Sequence, residues 1–280
     1  LTIVAFGTSA PELTVSIYAS LSGSTEIAIG NVVGSNIFNT LLILGVAAVI
    51  YPVTVQSNSV WIEIPLSLLA AVVLGVCAND MLIDGAEKSM ISRIDGIVLL
   101  GFFAVFMYYT FYSAKNGAEP PVSDKESMPI WKIVVFVVFG LVGLVAGGML
   151  MVEGASAIAK SFGISESIIG LTIVAAGTSM PELATSAAAA YKKNSDIAIG
   201  NVVGSNIFNV FFILGTSATI SPLPYQPKTS NVDVMLAVVS SILLFAFVFI
   251  GKGRKINKVE GGIFISLYII YVAYLISTQG

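Results

Sequence analysis

The chain has 280 residues, of which 56% are hydrophobic and only 10% charged, with a mean hydropathy of +0.94. Soluble domains carry about a quarter charged residues, so a water-soluble fold is excluded in favour of a polytopic membrane protein. There is no histidine and one cysteine, Cys77 in an apolar stretch, which excludes imidazole metal sites, histidine-based catalysis and a disulfide framework. The net charge of −3, with thirteen basic residues dispersed along the chain, offers no patch for nucleic acid. The lipid bilayer is the partner that this composition implies, and neither an enzyme, a cofactor nor an obligatory protein partner is indicated.

A membrane-spanning helix needs roughly 20 apolar residues. The first such stretch, 1–21, contains Thr8, Ser9, Pro11 and Glu12. Residues at i, i+1 and i+4 place two hydroxyls and a carboxylate on one helical face, with Ala5 one turn before Ser9. Pro11 supplies no amide hydrogen and crowds the carbonyl of residue 7, so a kink with freed carbonyls near Gly7 is expected. The second stretch, 27–50, carries Asn31, Ser35 and Asn39 at intervals of four, a polar stripe on a helix otherwise rich in Val, Ile and Phe. Gly30 and Gly34 add a small-xxx-small pair suited to close helix approach. Further spans are expected at 60–79, 94–114, 130–152, 166–190, 196–219, 232–251 and 257–277, with a Pro-Pro-containing linker at 115–129 that is too short to fold.

The sequence repeats itself. Residues 1–45 align with 171–215 at a constant offset, with about 29 of 45 positions identical. Thr178, Ser179, Pro181 and Glu182, with Ala175 one turn back, reproduce the first polar face, and Asn201, Ser205 and Asn209 reproduce the stripe. Arg93-Ile94-Asp95-Gly96 is echoed by Lys258-Val259-Glu260-Gly261. The span at 130–152 has no counterpart ahead of residue 1, so ten helices are expected in all, five per half, of which nine are present. The halves are 1–114, lacking its first helix, and 130–280.

Five helices per half force the halves to insert in opposite orientations, giving two inverted-topology repeats with a site at the midplane between them. Lys115, Lys125, Lys132, Lys192, Lys193, Lys252, Arg254, Lys255 and Lys258 fall on one side, against Lys88, Arg93, Lys160 and Lys228 on the other. The richer side is expected to be cytoplasmic, which places the linker in the cytoplasm and the C-terminus outside a cell membrane.

A glutamate in the middle of a membrane helix costs at least a few kcal/mol unless it is paired, protonated or lining a polar cavity. Glu12 and Glu182 are two such residues. Together with hydroxyls, amide oxygens and carbonyls they form an all-oxygen site, suited to a hard cation such as Ca²⁺ rather than to metals that prefer thiolate or imidazole. The same oxygens serve Na⁺ when both carboxylates are ionised.

At these residues the chain resembles the sodium/calcium exchangers of the cation/calcium antiporter superfamily, whose two inverted repeats bear G-T-S-x-P-E followed by G-N-x-x-G-S-x-x-x-N/D. Both motifs stand here twice, in order. The resemblance implies a secondary antiporter exchanging Na⁺ for Ca²⁺ by alternating access, with these ions as cargo. Glu12 and Glu182 would be the central Ca²⁺ ligands, assisted by Thr8 and Thr178. Ser9, Ser35, Ser179 and Ser205, with the carbonyls of Ala5 and Ala175, would form flanking Na⁺ sites, and Asn39 and Asn209 would complete the middle. Many relatives carry aspartate in one of these last two positions; two asparagines here disfavour proton handling at them and a potassium requirement. A Ca²⁺/H⁺ antiporter of the same superfamily, a passive cation channel and a structural membrane bundle are the competing readings.

Overall fold

The computed structural model describes residues 2–116, 129–250 and 253–279. Most of the expected linker, 117–128, lies outside them. The helices in chain order are α1 (Thr2–Thr8), α2 (Ala10–Ser22), α3 (Thr25–Ile50), α4 (Ser59–Cys77), the single turn α5 (Asp80–Ile83), α6 (Arg93–Asn116), α7 (Ile130–Phe162), α8 (Glu166–Thr178), α9 (Met180–Tyr191), α10 (Ser195–Ile220), α11 (Pro227–Ile250) and α12 (Lys258–Gln279). Among the described residues, six of these are long and apolar enough to cross a membrane singly, namely α3, α4, α6, α10, α11 and α12, while α8 and α9 make a seventh span bent by 48°. The other two expected spans are occupied by the pair α1 and α2 and by α7. The last is 33 residues long, ten residues beyond the expected 130–152. Glu153 and Lys160 stay helical there because nothing between Val152 and the left-handed Gly163 at φ 68° breaks the backbone pattern.

Four short strands, which no hydropathy pattern announces, connect the halves. β1 (Val53–Thr54) pairs antiparallel with β4 (Lys255–Ile256), and β2 (Ser89–Ile91) with β3 (Leu223–Tyr225). β1 follows α3 and β4 follows α11, so these two helices end at the same membrane face. α10 ends where α11 begins, at the opposite face. The equivalent helices α3 and α10 therefore run in opposite directions, which is the inverted relation between the repeats.

α3 and α10 form the centre, with 78% and 83% of their apolar windows buried, whereas α6 and α12 have only 17% and 22% buried and face the surroundings. Glycines set the closest approaches. A Cβ at Gly30 would lie 2.9 Å from the Ser167 carbonyl, and one at Gly34 would lie 2.5 Å from that of Leu171, so α3 crosses α8 at backbone contact. The expected small-residue packing of Gly30 and Gly34 is thus realised across the two halves. Gly45 against Gly261 and Gly96 against Gly215 repeat the device between α3 and α12 and between α6 and α10. The echo around Gly96 and Gly261 is both a packing signal and a cap: Asp95 accepts from the Ser92 amide and Glu260 from the Asn257 amide.

Candidate cation site

The expected kink is a break, and it lies at Ser9 and Ser179 rather than at the prolines. Both serines have φ −85° and ψ 9°, and each is followed by a new helix with its proline in the first turn. A missing amide hydrogen costs nothing at that position, because the first amides of a helix have no intrahelical partner. The carbonyl of Ala5 is not freed by the break: it accepts the Ser9 amide at 3.0 Å and the Thr8 hydroxyl at 3.3 Å. The Ala175 carbonyl accepts from Ser179 and Thr178 in the same way, at 3.1 and 3.2 Å.

The breaks place each carboxylate against the other half. Ser179 Oγ donates to Glu12 Oε1 at 2.8 Å and lies 3.0 Å from Ser35 Oγ. Ser9 Oγ donates to Glu182 Oε1 at 2.9 Å and lies 3.0 Å from Ser205 Oγ. Asn31 accepts from the Thr178 hydroxyl at 3.0 Å while its amide nitrogen donates to the Glu12 carbonyl and to Ser16. Asn201 does the same for Thr8, Glu182 and Ser186. Asn31 and Asn201 thus hold the helices around the break. Ser9, Glu12, Ser35, Asn39, Ser179, Glu182, Ser205 and Asn209 have no solvent exposure at all.

Asn39 and Asn209 each sit in a π-helical turn, at Phe38–Ile43 and Asn209–Leu214. Such turns are frequent at functional sites, though two others occur at Ser59–Glu63 and Gly170–Val174, and a strict α-helical count along the stripe does not show them. Neither does it show Asn36 and Asn206, one residue beyond the stripe, which bond to Asn209 and Asn39. Their signal was present as polar residues inside an apolar span at identical positions of both repeats.

Seven buried side-chain oxygen or nitrogen atoms among the described residues have no hydrogen-bond partner, and four of them are Glu12 Oε2, Glu182 Oε2, Asn39 Oδ1 and Asn209 Oδ1. A buried, unpaired polar atom costs about 1–3 kcal/mol, more if charged. Four acceptors in two repeat-related pairs, none with a donor, are what a cation ligand set looks like. Among the described residues no group of three or more His, Cys, Asp or Glu side chains occurs, so the two carboxylates need neutral oxygens to complete a shell.

The family model for sodium/calcium exchanger protein matches residues 1–112 and 132–277. The chain belongs to the sodium/calcium exchanger family. CaxA of Alkalimonas amylolytica, a protein named as an antiporter, is 39% identical over 99% of this exchanger chain and 87% of its own length. The sodium/calcium exchanger MaX1 of Methanosarcina acetivorans is 32% identical over 99% and 87%. The solved structure of the sodium-calcium exchanger NCX_Mj, soaked with Na⁺ and Sr²⁺, superposes with a TM-score of 0.70 at 37% identity, covering 97% of this chain and 84% of that one. This exchanger is accordingly a multi-pass membrane protein of a cation/Ca²⁺ antiporter family.

Proposed function

We propose that the chain exchanges Na⁺ for Ca²⁺ by alternating access at the buried site between its repeats. The four donor-free oxygens of Glu12, Glu182, Asn39 and Asn209 carry this reading. Two carboxylates neutralise one Ca²⁺, and two amide oxygens with the hydroxyls of Thr8 and Thr178 bring the shell toward the six to eight oxygens that this ion accepts. Ser9, Ser35, Ser179 and Ser205 provide the flanking Na⁺ sites, and the carbonyls of Ala5 and Ala175 join them when the Thr8 and Thr178 hydroxyls turn away to the ion. Na⁺ and Ca²⁺ compete for one anionic pocket. With nothing bound, two buried like charges resist crossing the low-dielectric barrier, so the site reorients loaded and exchange follows without a further coupling device. Asparagine at both 39 and 209 leaves only the two glutamates to titrate, which favours Na⁺ over protons as the counter-ion.

The same reading divides the chain into halves at 1–114 and 130–280, sets the lysine-rich face and the linker in the cytoplasm, and sets the C-terminus outside a cell membrane.

The test uses the full-length protein in liposomes loaded with Na⁺ or with choline, diluted into Na⁺-free buffer at clamped pH while radioactive Ca²⁺ uptake is followed. Uptake from Na⁺-loaded vesicles alone is the expected result. Uptake that ignores Na⁺ but appears with an imposed proton gradient makes the protein a Ca²⁺/H⁺ antiporter, and flux far faster than a transporter cycle makes it a channel.

A further inference from the structure

Asn36 and Asn206 are buried, at 7% and 2% exposure, and the amide nitrogen and oxygen of each are hydrogen-bonded to neighbours. We propose that they are positioning residues that fix which end of the Asn39 and Asn209 amides faces the cation; this rests on the site reading above. An amide has a donor end and an acceptor end of nearly equal size, so its direction is set by its neighbours.

For Asn209 the direction is forced. The backbone carbonyl of Asn206 can only accept, and it takes Asn36 Nδ2 at 3.2 Å. Asn36 therefore turns Oδ1 toward Asn209, which donates Nδ2 to it at 3.0 Å. Asn209 Oδ1 is left on the far side of its amide, buried and without a donor. Reversing Asn209 would set its two N–H groups toward the carboxylates' cation and leave two oxygens facing each other at Asn36.

For Asn39 the relay has a different end. Asn39 Nδ2 donates to Asn206 Oδ1 at 3.1 Å, and Asn206 Nδ2 donates to Thr40 Oγ1 at 2.8 Å. A hydroxyl can accept or donate, so this relay ends on a group that tolerates either direction, where the first ends on one that does not. Val210 occupies the position equivalent to Thr40, so the difference between the halves is written in the sequence. The oxygen of Asn209 is the fixed one of the pair, and Asn36 is the residue that fixes it.

A carboxylate presents oxygen in both directions, and this supplies the test. Asn36→Leu, Asn209→Asp and the double variant are reconstituted at full length, and the Ca²⁺ dependence of Na⁺-driven exchange is measured. Asn36→Leu is expected to raise the half-saturating Ca²⁺ concentration about tenfold or more while the maximal rate stays within about threefold; in the Asn209→Asp background the same substitution changes half-saturation by less than about threefold, the coupling expected of contacting residues. An equal loss in both backgrounds means that Asn36 serves only to pack helices, and overturns the proposal. So does wild-type half-saturation in Asn36→Leu. If the leucine variant is not recovered folded, Asn36→Ala is read by the same criteria. Wild-type Ca²⁺ binding in Glu12→Gln and Glu182→Gln would sink the site reading and this role with it, whereas loss of binding there with an unaffected Asn36→Leu overturns the positioning role alone.

Discussion

A single methyl group at Gly34 should damage both the fold and the site. In Gly34→Ala the new Cβ lies 2.5 Å from the Leu171 carbonyl oxygen, 2.8 Å from the Leu171 Cα and 2.8 Å from the Ala175 Cβ. Ordinary contacts between carbon atoms are about 3.5–4.0 Å, so α3 and α8 have to part by about 1 Å. None of the three obstructing atoms is the end of a flexible side chain, and overpacking of this kind costs about 1–3 kcal/mol. At the site Ser179, at the end of α8, lies 3.0 Å from Ser35 of α3 and 2.8 Å from Glu12 of α2. A separation of about 1 Å takes the Ser179–Ser35 contact past hydrogen-bonding distance, and the loss of one such neutral hydrogen bond, about 0.5–1.5 kcal/mol, lowers Ca²⁺ affinity by about two- to tenfold. Gly101→Ala is the control, since nothing lies within 4 Å of its added Cβ. Thermal unfolding in detergent with and without Ca²⁺, together with equilibrium Ca²⁺ binding, separates the two. If Gly34→Ala matches Gly101→Ala in both measurements, the close approach of α3 and α8 does not shape the site.

Three further outcomes are expected. Glu12→Gln or Glu182→Gln each abolishes Ca²⁺ transport while leaving the protein folded by size-exclusion chromatography, because the substitution keeps shape and removes one of two charges; wild-type exchange in either would contradict the ligand assignment. Asn201→Leu removes one acceptor of the Thr8 hydroxyl and the donor to the Glu182 carbonyl and Ser186, and is expected to weaken Ca²⁺ binding about tenfold or more, at about 1–3 kcal/mol for a buried acceptor that loses its donor; titration of radioactive Ca²⁺ checks it. Gly96→Leu drives a side chain into the Gly215 carbonyl and the Thr219 amide, both 2.7 Å from a Cβ, and should lower the unfolding temperature more than Gly101→Leu does.

Much of this was legible in the residues. Composition and span length give the membrane fold, and the duplicated motifs give the inverted relation and the residues gathered at the centre. What the sequence hid is where local backbone geometry departs from an ideal helix. Pro11 and Pro181 read as kinks inside helices because the pattern of apolar residues runs through them; the chain instead breaks two residues earlier, where a proline can start a helix without loss. Asn36 and Asn206 fall off a stripe counted at α-helical spacing because each stands one residue after the stripe serine, and their partners Asn209 and Asn39 lie in the opposite half. The strands escaped notice because pairs of two or three residues have no periodicity to detect, and their partners lie in the opposite half.

Those strands bear on how the molecule is made. Val53 pairs with Ile256 and Ser89 with Tyr225, so neither sheet can close while the first half alone has been synthesised. Closing loops of this length carries an entropic cost that grows only slowly with length, but it falls due late: β2 waits for β3, just ahead of α11, and β1 for β4, just after it. Until α8 has been made, Glu12 faces no Ser179. The two small clasps, one at each end of the bundle, can therefore close only after the residues of both repeats that gather at the site have been made.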